Sequence, residues 1–186
     1  MNEKIILASQ SPRRQELMKL LFDEFEVRVS DVDESLPDGI DPASAVESLA
    51  LRKAKAVAED AQGIVIGADT VVAIDGLILG KPQDPADAAA MLRRLSGKVH
   101  QVYTGVAICA PKQECVFHRC TSVEFCSLSE EEIAWYLKTG EPFDKAGAYG
   151  IQGWGARFIK GITGDYFNVM GLPVNSIYEK IGCFTK

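Results

Sequence analysis

Ile64-Val65-Ile66-Gly67-Ala68-Asp69-Thr70-Val71-Val72-Ala73-Ile74-Asp75-Gly76-Leu77-Ile78-Leu79 is the stretch from which the fold is read. Ile64 to Ile74 is almost continuously apolar and rich in β-branched side chains, which predicts a long buried strand. Asp75-Gly76 then predicts a hairpin, because both turn positions tolerate positive φ, with Leu77 to Leu79 as the return strand. One residue breaks the apolar run. An ionised Asp69 inside a buried strand is very costly alone, so it needs a cation: Lys, Arg or a divalent metal. A structural Asp satisfied by nearby amides is the plainer alternative. Gly67 and Ala68 leave room for a ligand beside the backbone.

Elements alternate on both sides of this strand. Before it, Lys4 to Ala8 reads as a buried strand, Pro12 to Phe22 as a helix and Phe25 to Ser30 as a strand. Asp41-Pro42 opens a long helix running to about Asp60, with Asp at the cap and Pro at the first helical position. After it, Asp84-Pro85 caps a helix through about Leu95, closed by Gly97. Strands follow over Val99 to Cys109 and Val116 to Leu128. Ser129 and Glu132 have capping-box spacing, which predicts a helix to Thr139 before Gly140. A glycine-rich loop spans Glu141 to Gly155. Segments Arg157 to Ile162 and Tyr166 to Val169 flank a turn at Gly164-Asp165, and a last helix begins near Pro173. Helices interspersed with strands and hairpins imply an α/β or α+β domain around one mixed sheet, whose strand order is not legible. At 186 residues the chain fits a single domain.

Bulk properties narrow the classes of function. With 47% hydrophobic and 25% charged residues the composition is that of a globular protein. No run of about 18 apolar residues is available to span a bilayer, and the apolar segment after Lys4 is too short for a signal-peptide core. A soluble, cytoplasmic protein with no membrane partner is expected. The formal charge of −6 argues against duplex binding, which needs an extended basic face, but allows a small phosphorylated ligand. Five cysteines without a C-x-x-C pair predict free thiols in a reducing compartment rather than a zinc site.

Several segments could carry chemistry. In Ser9-Gln10-Ser11-Pro12-Arg13-Arg14, Ser11 is a good helix cap, yet Arg13 and Arg14 fall in the first turn, where cations are disfavoured. A bound polyphosphate would compensate; two solvated arginines paired to surface acids would be the ordinary explanation. Lys81 of Gly80-Lys81-Pro82 follows the hairpin and suits a phosphate. Gly76 to Lys81 is no P-loop, since its glycine spacing is short and Pro82 stands where Ser or Thr should be. Lys53 and Lys55 do not share a helix face, so at most one points to a given site. Asp33 and Glu34 could supply a second carboxylate for Mg²⁺. In Asp144-Lys145-Ala146-Gly147-Ala148-Tyr149-Gly150-Ile151-Gln152-Gly153, Gln152 both donates and accepts, which suits it to reading a base edge. His100 and His118 lack acidic or nucleophilic company in sequence and read as structural or exposed.

Taken together and in this order, these segments resemble the Maf family of nucleotide pyrophosphatases. The resemblance covers essentially the whole chain: Ser9-x-Ser11-Pro12-Arg13-Arg14, Glu34, Lys53, Gly67-Ala68-Asp69-Thr70, Lys81-Pro82, Thr104-Gly105-Val106, Asp144 to Gly153 and Asn168-Val169-x-Gly171-Leu172-Pro173. It implies an α/β fold with a mixed, strongly curved central sheet, flanking helices and two lobes around a cleft, like that of inosine triphosphate pyrophosphatase, in one domain over 1–186. It implies metal-dependent hydrolysis of a nucleoside triphosphate to the monophosphate and pyrophosphate, with dTTP and UTP, or modified pyrimidine nucleotides, favoured. Asp69 matches the family's catalytic proton acceptor. Arg13, Thr70 and Gln152 match positions of base selection, and Ser9, Arg13, Arg14, Lys53, Thr70, Lys81 and Gln152 are the expected substrate-binding set. The implied cofactor is Mg²⁺ or Mn²⁺ held by Glu34 and Asp69. The implied partner is a small nucleotide and not a nucleic acid, with a homodimer left open. A nucleotide-binding regulator of septum formation is the alternative function.

Overall fold

The computed structural model describes residues 3–29 and 31–184. In chain order its first elements are β1 (Ile5–Ala8), α1 (Pro12–Met18), β2 (Glu26–Arg28), α2 (Pro42–Ala58), β3 (Ile64–Ile74) and β4 (Leu77–Leu79). They are followed by α3 (Pro85–Leu95), β5 (Val99–Ala110), β6 (Gln113–Phe125), α4 (Glu130–Lys138), β7 (Ile159–Thr163), α5 (Tyr166–Met170) and α6 (Val174–Ile181). The fold is mixed α/β around one seven-stranded sheet ordered β2-β1-β3-β5-β6-β7, with β4 paired to β3.

Parallel and antiparallel pairs coexist. β1 lies parallel to both β2 and β3, whereas β4 on β3 and β7 on β6 are antiparallel. In the expected hairpin Asp75 takes φ 52° and Gly76 φ 76°, the paired positive values that such a two-residue turn needs. Helix starts follow their caps. The Asp41 side chain accepts from the Ser44 amide at 3.0 Å and Asp84 from the Asp87 amide at 2.8 Å. Ser129 and Glu132 form the full reciprocal capping box.

Three expectations need correction. α1 stops at Met18 rather than Phe22, because Lys19, Leu20 and Leu21 donate to carbonyls three residues back and tighten the last turn. The strand expected over Phe25 to Ser30 is only Glu26–Arg28, and Ser30 lies outside the described residues. The loop expected over Glu141 to Gly155 contains short 3-10 helices at Glu141–Asp144 and Ala146–Ala148, and a third at Gly153–Phe158. The segment around Tyr166 is helical: the Asp165 carboxylate accepts from the Phe167 amide at 2.8 Å and starts α5.

The chain divides into two compact units, and it passes from one to the other within β3, β5 and β6. The first comprises Met1–Thr70, Thr104–Arg119 and Gly171–Lys186; the second comprises Val71–Tyr103 and Cys120–Met170. In the first, Ile6, Ala8 and Val65 of the sheet pack with Ala50, Ala54 and Val57 of α2. In the second, Leu92 and Leu95 of α3 and Tyr136 of α4 pack with Val72, Val123, Phe125, Tyr149 and Phe158. Among the described residues no helix is long and apolar enough to cross a membrane.

Candidate active site

The first unit assembles its candidate residues by bringing α2 unusually close to β3. A Cβ added to Gly67 would lie 2.4 Å from the Ala50 carbonyl oxygen and 2.8 Å from the Ala54 nitrogen. At Gly105 of β5 it would lie 2.3 Å from the carbonyl oxygen of Val46. The two glycines therefore accept the helix backbone where side chains would hold it off. Gly67 thus makes room for α2, not for a ligand as its sequence context suggested.

Asp69 follows Gly67 by two residues, so both project from the same face of β3, towards α2. Lys53 follows Ala50 by three and lies on the helix face that packs there. Its Nζ donates to Asp69 Oδ1 at 2.6 Å and pairs with Glu34 Oε1 at 2.8 Å. The Lys53 and Asp69 side chains are only 13% and 12% exposed, whereas Glu34 is 60% exposed. The cation demanded by the carboxylate in the apolar strand is Lys53. Two carboxylate oxygens from separate elements converge on one positive centre, a hard-oxygen donor pair of the kind a small divalent cation also takes. Lys55, two residues on, points elsewhere and pairs with Glu114.

The loop carrying Glu34 is fastened by a residue that the sequence did not single out. Arg52 Nη1 donates to the carbonyl oxygens of Asp33 at 3.0 Å and Ser35 at 2.8 Å. Asp33 does not join the site: its carboxylate takes the Ser35 amide and hydroxyl, and those bonds hold its pKa below the ordinary value. Adjacent helical residues project roughly 100° apart, so nothing in the spacing assigned Arg52 to the task of holding Glu34 beside Lys53.

The other face of β3 carries a second group. Ala8 of β1 is in register with Gly67, so the turn leading from β1 into α1 lies next to Ala68-Asp69-Thr70. From α1, Arg14 reaches back across this turn. It donates to Ser9 Oγ at 3.3 Å, Thr70 Oγ1 at 3.0 Å and the Gly171 carbonyl at 2.8 Å. The hydroxyls of Thr70 and Thr104 lie 2.9 Å apart. Arg14 is therefore not a solvated surface arginine; it ties the turn, the strand and Gly171 together. Burial lowers its pKa from the ordinary arginine value, opposed by the attraction of Asp69. Arg13 is half-buried beside it, near enough for its like charge to add to the lowering.

Lys81 and Gln152 belong to the second unit. Lys81 is exposed, directly after Gly80, whose carbonyl accepts from the Gly147 amide at 3.0 Å. Gln152 is half-buried, with extended backbone at φ −91° and ψ 162°. Sequence reasoning missed the residues that brace its loop. The Glu141 carboxylate accepts from the Tyr136 hydroxyl at 2.8 Å and the amides of Trp154 at 2.8 Å and Gly155 at 3.0 Å. An acid at the start of a glycine-rich segment was the one available signal. Both histidines have structural partners: His100 Nε2 lies 2.7 Å from the Tyr149 hydroxyl and His118 Nδ1 lies 2.8 Å from Glu47.

Comparison with known proteins gives this arrangement a context. Residues 4–183 match the family model described as Maf-like protein. A relative from Symbiobacterium thermophilum named dTTP/UTP pyrophosphatase is 53% identical over 183 residues, covering 98% of this chain and 94% of its own length. One of the same name from Bacillus cytotoxicus is 51% identical, covering 98% and 96%. Among solved structures, the Staphylococcus aureus Ham1 protein matches with a TM-score of 0.53 at 19% identity, over 84% of this chain and 80% of its own; this likeness concerns the fold.

Proposed function

The chain belongs to the Maf-like protein family, and from that premise we propose that it hydrolyses dTTP and UTP to the nucleoside monophosphate and pyrophosphate. The strongest local support is the convergence of Asp69 and Glu34 on Lys53 beside the Arg14-braced turn. It joins a carboxylate able to accept a proton to a cation able to meet phosphate. The nearly full-length match to relatives bearing that activity in their names, at 53% and 51% identity, supports the substrate class.

Cleavage of the α–β phosphoanhydride needs an activated water and compensation for charge building on the leaving pyrophosphate. Asp69 accepts the proton of the attacking water or helps to hold a divalent cation; both uses need its carboxylate held in place, which Lys53 provides. Arg13, Lys53 and Lys81 bind phosphate oxygens. Ser9 and Thr70 offer hydroxyls whose positions Arg14 sets. Gln152 reads the base: its amide can donate to O4 and accept from N3–H, the pattern that uracil and thymine share. Glu34 and Asp69 would hold Mg²⁺ or Mn²⁺, which suits one or two carboxylates completed by phosphate oxygens and water. Such an ion would lower the pKa of the attacking water and screen the triphosphate. Residues 1–186 act as one domain, on a small soluble nucleotide, in the cytoplasm.

Incubation with a panel of nucleoside triphosphates and Mg²⁺ or Mn²⁺ tests this. Pyrophosphate should appear, fastest from dTTP and UTP, and chelation should stop it. Orthophosphate as the first product, or tight nucleotide binding without turnover, would overturn the proposal; the second outcome would favour the regulator.

A further inference from the structure

The base-reading role of Gln152 raises a physical problem that the second unit answers. A side-chain amide can turn over and present its donor where its acceptor stood, so Gln152 distinguishes uracil from cytosine only together with main-chain donors and acceptors beside it, which cannot turn over and must be held in one place. Its neighbourhood is made of glycines, at Gly150, Gly153 and Gly155, which by themselves confer freedom.

That freedom is removed on both sides. Before Gln152, the Gly150 amide donates to the Tyr136 hydroxyl at 3.2 Å. After it, the amides of Trp154 and Gly155 donate to opposite oxygens of the Glu141 carboxylate. Tyr136 in turn donates its proton to Glu141, so one hydrogen-bonded pair holds the backbone on either side of the reading residue. Gly153 adopts φ +72°, and a Cβ there would lie 2.5 Å from Glu141 Oε2: the carboxylate occupies the space of the missing side chain. The Glu141 main chain is itself held by Lys145 Nζ, which donates to its carbonyl at 2.7 Å.

We propose that Glu141, acting with the Tyr136 hydroxyl, is the positioning residue of the base-reading loop, and that it sets discrimination between uracil- or thymine-bearing nucleotides and their cytosine counterparts. This rests on the reading of Gln152 given above. Glu141 acts through the placement of Gln152 and of the main chain beside it. Support from a surrounding shell of this kind decides whether a polar contact discriminates or merely binds.

Glu141→Gln is the sharpest variant, since the remaining carbonyl oxygen can still accept from Tyr136 and Gly155 while the acceptor for the Trp154 amide is lost. Tyr136→Phe removes the shared hydroxyl and remains available should the first variant fold poorly. For each, kcat and KM are measured with UTP and CTP alongside a thermal melt. The ratio of kcat/KM for UTP over CTP should fall about tenfold or more, through a raised KM for UTP with kcat nearly kept. The double variant should be no less selective than the weaker single one. A lowered melting temperature with KM and the ratio unmoved would make Glu141 merely structural and overturn the inference alone. A wild-type protein without preference for UTP over CTP would overturn the reading of Gln152 and the inference together.

Discussion

At the scale of single residues the site is organised by an ion pair that neither partner could sustain alone. Asp69 and Lys53 are both largely buried, so removing one leaves an uncompensated charge, which costs far more than an exposed pair contributes. Lys53→Met should therefore destabilise the protein by about 3 kcal/mol in urea unfolding. Adding Asp69→Asn to it should recover most of that loss, since the stranded charge disappears. The need for a cation was legible in the sequence, because a carboxylate interrupted an apolar strand. Its identity was not, because Lys53 and Asp69 lie sixteen positions apart and meet only through tertiary packing. His100 offers a second test. Fully buried, its pKa is pushed down to about 4 from 6.5 by burial. Because the folded value lies below the unfolded one, protonation favours the unfolded chain. Stability is thus complete above pH 6.5 and declines as pH falls towards 4, by about 3 kcal/mol in all. Denaturant titrations over that window should show the slope, and His100→Gln should flatten it.

At the scale of elements, local chemistry announced most boundaries. Asp41-Pro42, Asp84-Pro85 and the Ser129 to Glu132 box mark helix starts that depend on neighbours in sequence, and each forms as expected. Asp75-Gly76 does the same for the hairpin. What local chemistry could not announce depends on distant partners. α5 forms where Asp165 caps it, and Thr121 Oγ1 holds that turn by donating to the Asp165 carbonyl at 3.0 Å. The 3-10 helices after α4 form around Glu141, whose partners reach as far as Gly155. The same distinction explains the misreading of Gly67: a glycine in a strand signals a close approach, but not whether by ligand or helix. Gly67→Ala should drive Cβ into the α2 backbone, destabilise by about 3 kcal/mol and lower turnover, because Lys53 would be carried away from Asp69. Thermal melts and steady-state rates on the same preparation check both effects.

For the whole molecule, the mixed sheet was legible in the alternation of elements, but its order was not. β1 pairs with β2 and β3 in parallel, and such neighbours need intervening chain that carries no record of where it returns. The site was legible chiefly as a set of scattered segments. The structure brings Ser9, Arg14 and Thr70 into one group and Glu34, Lys53 and Asp69 into another, with β3 contributing to both. The proposed hydrolysis hinges on the Asp69 carboxylate, in the second of these groups. Pyrophosphate release from dTTP by the wild-type protein and by Asp69→Asn, side by side with Mg²⁺ or Mn²⁺ present, tests that directly. The expected result is rapid release by the wild type and a loss of at least about 100-fold in a variant that remains folded by circular dichroism. Release by the folded variant at a rate close to that of the wild type would contradict it.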